Sequence, residues 1–245
     1  KGVTPLLAAA RKGSMDAIEE LLDRGASVKE TDVFGNSCLF YAVESNTPPV
    51  FEKLLRAGAD PHHLNTRGET LHHVAAKHAS LEMVETLKTY KIPMYVLSEY
   101  RETPLHHAAM KGKTDLVAFY LDRGLLPSRV DGFSKTPRDY GNDYGDIEML
   151  FTRFESNLEN ISAMQSNPLC KALRNEDFEK AFVLIKEGKS LDEKDIYGNR
   201  PVFYALIHRQ FEIYDALMNH DIQEYDVDCH HHDVDYYLNL LNLKW

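Results

Sequence analysis

From Thr4 onward the chain repeats itself in steps of 33 residues. TPLLAA at Thr4, SCLFYA at Ser37, TLHHVA at Thr70, TPLHHA at Thr103 and TPRDYG at Thr136 fall in register. After a step of 31, NPLCKA begins at Asn167, and steps of 33 resume with RPVFYA at Arg200 and DVDYYL at Asp233, which makes eight copies. A unit this short cannot bury its own apolar face and has to stack on its neighbours, so the period constrains the fold more than any local motif does.

Each unit carries a second periodic set: Ala17/Ile18/Leu21/Leu22, Val50/Phe51/Leu54/Leu55, Met83/Val84/Leu87, Leu116/Val117/Tyr120/Leu121 and Ile213/Tyr214/Leu217/Met218. Apolar residues at i, i+1, i+4 and i+5 form one buried face of a short helix. Gly25, Gly58, Gly124 and Gly188 follow four of these helices, where a left-handed residue belongs. An extended piece and a tight turn come next, DVFGN at Asp32, NTRGE at Asn65 and DIYGN at Asp195. The unit therefore reads as helix, turn, helix and hairpin finger. Lys91 and Asp221 replace the closing glycine, and Arg101 and Ser134 replace the turn glycine. Less regular turns are expected in repeats three to five.

These units resemble the ankyrin repeat family, whose pattern D-x-x-G-x-T-P-L-H-x-A-A is matched most fully by Thr103 to Ala109 and Thr70 to Ala76. The resemblance spans nearly the whole chain and implies an all-α solenoid of stacked helix-turn-helix units with short β-hairpin finger loops. It also implies that His72 and His106 are structural, bonding near the start of the first helix, and leaves His73 and His107 open. Gly112-Lys113-Thr114 is not a phosphate loop, because His107 stands where the leading glycine would be and a helix precedes it. The expected organisation is a single repeat domain, 1–245, with a seam at 155–166 that separates repeats one to five (1–154) from six to eight (167–245). The fifth copy prompts this expectation, since Gly141 and Asn142 stand where alanines normally let helices approach.

The chain starts at Lys1 without a finger ahead of the first copy, and an apolar run from Tyr236 to Leu243 follows the last one. That run is either an abbreviated cap or a face covered by a further segment of a larger protein. No apolar stretch approaches the length a bilayer requires, and the sequence holds no basic start followed by an apolar segment and a small-residue cleavage site, so no membrane association is expected. Cys38, Cys170 and Cys229, odd in number and far apart, fit free thiols in a cytoplasm. A net charge of -10 opposes binding to nucleic acid and favours a basic or neutral protein partner. From Glu176 to Asp235 acids outnumber Lys and Arg fifteen to six, which holds almost the whole excess.

The tip position before the turn glycine reads Phe34, Arg67, Tyr100, Phe133, Met164, Tyr197 and His230 along the chain. In the family this position edges the concave surface, and an aromatic row interrupted by arginine has the composition of a binding hot spot. The competing reading is that the rings pack along their own fingers. By the same resemblance the first helices point Arg11/Lys12, Glu44/Ser45, Lys77/His78 and Met110/Lys111 into a mainly basic groove. A basic groove and an acidic rear would steer a partner of mixed charge.

The function expected is non-catalytic protein binding through fingers and groove, by Phe34, Arg67, Tyr100, Phe133, Tyr197, Lys77, His78, Met110 and Lys111, with no cofactor and no membrane insertion. The alternative is a targeting or substrate-recruiting arm of a multidomain enzyme or secreted bacterial effector, acting in a host cytosol. A weaker option is a metal sensor at Asp226, Asp228, Cys229, His230, His231, His232, Asp233 and Asp235. Zinc-site spacings are absent there, and the repeat register makes the segment an ordinary finger.

Overall fold

A threonine, serine or asparagine at the start of the first six copies, usually with proline after it, starts a helix by supplying an N-cap and a backbone whose missing N–H is not needed, and in the seventh Arg200 stands at the N-cap with Pro201 after it. The computed structural model describes residues 2–162 (side chains to 156), 167–188, 190–195 and 199–220. Among them are fourteen helices, arranged as successive helix-turn-helix pairs. The first four pairs are α1 (Pro5–Lys12) with α2 (Met15–Asp23), α3 (Cys38–Glu44) with α4 (Pro48–Arg56), α5 (Leu71–His78) with α6 (Leu81–Thr89), and α7 (Pro104–Met110) with α8 (Thr114–Leu121). They are followed by α9 (Pro137–Gly141) with α10 (Gly145–Ser162), α11 (Pro168–Arg174) with α12 (Phe178–Glu187), and α13 (Pro201–Ile207) with α14 (Phe211–Met218).

The chain divides into two compact units, Lys1–Phe151 and Thr152–Trp245, and the division falls within α10. In the first unit α1, α3, α5, α7 and α9 pack in a row, and α2, α4, α6 and α8 form a second row behind them. Ala10, Ala42, Ala75, Ala76, Ala108 and Ala109 are buried in the first row, where a small side chain lets backbones approach. Phe51, Leu54, Met83, Val84, Leu116, Val117 and Tyr120 fill the space between the rows. In the second unit α11 packs on α12 and α13, and α14 on α12 and α13, around Leu169, Leu173, Ile185, Phe203, Tyr204 and Leu217.

Gly141, an oddity of the fifth copy, has a packing reason. A Cβ there would meet Ile147 Cγ2 at 2.8 Å and Phe151 Cε2 at 3.2 Å, so α10 uses the missing side chain to lie against α9. The expected seam at 155–166 begins on α10 and runs out of the described residues.

The fingers of the described residues are tight hairpin loops, each closed by a pair of backbone bonds such as Asp32 N–H to the Asn36 carbonyl and Gly35 N–H to the Asp32 carbonyl, and among the described residues the strand-type pairing is one isolated bridge, Thr31 with Ser37. One expectation needs correction here: the turns of repeats three and four are as regular as those with glycine. Arg101 (φ 59°) and Ser134 (φ 58°) adopt the left-handed conformation of Gly35 (φ 73°) and Gly68 (φ 67°). All four donate their N–H to the carbonyl three residues earlier. Lys91 (φ 56°) likewise closes α6 as Gly25, Gly58 and Gly124 close their helices. The tertiary stack fixes the backbone, and the side chain bears a strain of about 1 kcal/mol. Asp221 lies outside the described residues.

Candidate partner-binding face

Each finger is organised by the polar residue that opens it. Asp32 Oδ1 accepts the N–H groups of Phe34 and Asn36 (both 2.8 Å), Asn65 Oδ1 those of Arg67 and Glu69 (both 3.0 Å), and Asp131 Oδ1 those of Phe133 (2.8 Å) and Lys135 (2.9 Å). Such side-chain mimicry of a turn explains why Asp and Asn recur here. Tyrosines nine residues on lock the same carboxylates to the first helices. Tyr41, Tyr140 and Tyr204 donate to Asp32 (2.7 Å), Asp131 (2.8 Å) and Asp195 (2.7 Å). Burial alone would raise the Asp32 and Asp131 carboxyls, but these tyrosine and backbone donors hold both below the usual range.

Successive fingers are tied edge to edge. The carbonyls of Phe34, Arg67 and Tyr100 accept the N–H groups of Thr66 (2.9 Å), Glu99 (2.7 Å) and Gly132 (2.7 Å), so the four tips of the first unit form one continuous row. On it Phe34 and Phe133 are each 64% exposed and Tyr100 46%. Tyr100 and Phe133 are brought together as an offset stack, ring centroids 5.8 Å apart and planes 27° from parallel. Tyr197 lies outside the described residues, as do the Asp-Cys-His segment around Cys229 and the tip positions Met164 and His230.

Beside the row lie the last turns of the first helices. Arg11, Lys12, Glu44, His78, Met110 and Lys111 are exposed there. Lys77 and Arg67 converge instead on Glu69, whose side chain is only 2% exposed. Arg67 donates to Glu69 Oε2 at 2.8 Å, Asn65 to the same oxygen at 2.7 Å, and Lys77 to Oε1. Burial pushes this carboxyl up, and the Lys77 and Asn65 bonds more than offset it, so Glu69 is ionised and neutralises Lys77. Glu69 was missed in the sequence; its one signal is an acid directly before a capping threonine, a position also held by Glu102.

The paired histidines are structural, with one correction of register. In the third repeat the capping residue is His73, three after Thr70, and not His72. Thr70 N–H donates to His73 Nδ1 (3.1 Å) and Thr103 N–H to His106 Nδ1 (3.0 Å), while the Nε2 atoms lie 3.1 Å from the carbonyls of Glu102 and Arg129 in the next finger. Each ring thus caps its own helix and ties two repeats together. Burial lowers both imidazoles to about 4, which keeps them neutral. His72 packs instead against Tyr120, with Nδ1 at 3.3 Å from the hydroxyl. His107 is buried, and its Nε2 faces Glu102 (3.6 Å) and Glu69 (3.9 Å) without a hydrogen bond.

Among the described residues no group of three His, Cys, Asp or Glu side chains could hold a metal ion, and no helix is long and apolar enough to cross a membrane.

A family model described as ankyrin repeats matches residues 1–63 and 39–131. The chain is 26% identical over 220 residues to the ankyrin repeat protein nuc-2 of Neurospora crassa, covering 86% of this chain and 20% of that one. It is 26% identical over 226 residues to the human B-cell lymphoma 3 protein, covering 86% and 49% respectively. It is 31% identical over 130 residues to the tyrosine-protein kinase Shark of Drosophila melanogaster, covering 53% and 14%. The chain thus spans between about a seventh and a half of the length of these relatives. Capped first helices, left-handed helix closures, laddered fingers and a matching family model lead to one assignment: this chain belongs to the ankyrin repeat family.

Proposed function

We propose that this chain is a non-catalytic protein-binding module that engages a partner of mixed charge in the cytoplasm through the finger row and the neighbouring ends of the first helices. The observation that carries the reading is the Tyr100–Phe133 stack, two rigid rings held side by side while about half of each stays in water. Such rings give up apolar area to a partner with little loss of side-chain freedom, which is what an interface anchor requires. Phe34 supplies a third anchor, and Arg67, His78, Met110 and Lys111 supply contacts around them. Lys77 contributes less, because Glu69 already claims its charge. The test is a pull-down with the full chain beside a Phe34→Ala/Tyr100→Ala/Phe133→Ala variant whose melting curve matches the parent. Loss of a partner from the variant alone supports the reading, and identical retention by both baits sinks it.

A second reading, that these repeats are the recruiting arm of a larger protein, is favoured by the small share of its relatives that the chain spans, one of them a tyrosine-protein kinase. The full open reading frame decides it: flanking catalytic motifs support this reading, and start and stop codons at the two ends remove it.

A further inference from the structure

Net charge describes the whole surface, but a partner meets a local field. Along the ends of the first helices of the first unit, Arg11, Lys12 and Lys111 are exposed on a chain whose net charge is -10. Lys113, two residues after Lys111 and part-buried, donates its ammonium to the Ala79 carbonyl at 2.6 Å, which spans from one repeat to the previous one. Burial lowers the His78 imidazole, the Glu44 charge opposes that, and the charges of Lys77, Lys113 and Lys111 add to it. Since α1, α3, α5 and α7 pack in sequence, the charges form a strip rather than isolated points. The acids in reach are Glu44 and Asp115, both exposed, the latter offsetting the Lys113 charge, together with Glu69, which Lys77 and Arg67 neutralise, and Glu102, which also feels Lys77. A cation in the last turn of a helix also complements the helix dipole, and that accounts for Arg11 and Lys12. It also covers Lys111, the C-cap of α7, but not Lys113, which stands at the N-cap of α8.

We propose that this strip receives an acidic segment of the partner protein, with carboxylates against Lys12, Lys111 and Lys113 and an adjoining apolar residue on the Tyr100–Phe133 stack. The proposal rests on the finger reading above and adds to it the chemistry of what docks. Carboxylates interspersed with an apolar residue suit the strip better than a nucleic acid does, because the strip holds few cations and has Glu44 in its middle. Field complementarity of this kind acts on encounter and register, so it is screened by salt.

The experiment selects 12-residue peptides from a random displayed library on the full chain, then measures one selected peptide by fluorescence anisotropy. We expect aspartate and glutamate to be enriched around an aromatic or aliphatic residue. Affinity should weaken about tenfold in Lys12→Glu/Lys111→Glu, and again by roughly that factor between 50 and 300 mM salt. Lys12 and Lys111 are exposed, and Lys12→Gln/Lys111→Gln serves as the milder pair should charge reversal disturb folding; it should weaken binding in the same direction. Peptides without acidic enrichment that are still lost in Tyr100→Ala/Phe133→Ala overturn the acidic segment and leave the finger reading intact. Acidic peptides that respond to Lys12→Glu/Lys111→Glu but not to the alanine pair uphold the strip and sink the finger reading. A single-stranded RNA that displaces the peptide, or a selection that returns no binder, overturns the proposal.

Discussion

His106 shows how much one side chain can carry in a repeat of this kind. Its Nδ1 accepts the Thr103 N–H and its Nε2 reaches the Arg129 carbonyl, so His106→Ala removes a cap and an inter-repeat tie together. We expect a loss of about 2 kcal/mol in urea unfolding, against a few tenths for exposed His78→Ala. The same ring sets a pH dependence. Its folded value, about 4, lies below the ordinary 6.5, so an unfolded chain takes up the proton first as pH falls. The stability contributed by His73 and His106 is complete above pH 6.5 and is lost between about 6.5 and 4. Thermal midpoints across that window should fall steeply for the parent and less steeply for His106→Gln. Asp32 and Asp131, held low by their donors, add a second loss only as pH falls below the ordinary carboxylate value of 3.8. The Thr-Pro-Leu-His pattern announced the role of His106, whereas the third repeat, which lacks the proline, misled by one residue. A buried hydrogen bond fixes which histidine caps, and spacing from the threonine was the better guide than adjacency to leucine.

The turns between helices divide into those that need glycine for its conformation and those that need it for space. Gly25 (φ 83°) has nothing within 4 Å of where a Cβ would stand, so Gly25→Ala should cost about 1 kcal/mol from conformation alone. Gly112 (φ 67°) lies under the Tyr144 ring, with Cε1 2.5 Å from the Cβ position, so Gly112→Ala should cost distinctly more, about 2–3 kcal/mol. The reverse changes act in the opposite sense. Lys91→Gly and Ser134→Gly release left-handed strain at exposed positions, and each should raise stability by about 0.5–1 kcal/mol. Chemical denaturation of the four single variants, compared at matched slope, checks the ordering. A fall in stability for both Lys91→Gly and Ser134→Gly would show that the positive φ is not a source of strain.

Packing within the first unit runs from each helix pair to the next, which makes stability a sum of internal and neighbour terms. Phe51 is fully buried on α4 and meets the Tyr90 ring of the following pair at a centroid distance of 5.9 Å. Phe51→Ala should therefore cost about 3–5 kcal/mol, and hydrogen exchange should show the loss concentrated in α3 to α6, with the second unit affected least. A uniform loss of protection over both units would instead mark the chain as one cooperative block.

The period of 33, the cap residues and the apolar face of each second helix determine the element order by themselves, because repeated units can bury those faces only by stacking on one another. The aromatic character of the finger row was legible for the same reason. Which rings meet was not: the Tyr100–Phe133 stack depends on the carbonyl-to-amide ladder that aligns neighbouring fingers. Nor was Glu69, since a lone acid in a charged sequence carries no sign of burial until Arg67, Lys77 and Asn65 close around it. Local periodicity determines elements, because it acts through neighbours along the chain. Burial of charge and the pairing of side chains from separate repeats arise only once the stack exists, and that is where Lys77 lost its freedom to Glu69, and Lys113 found the Ala79 carbonyl of the previous repeat.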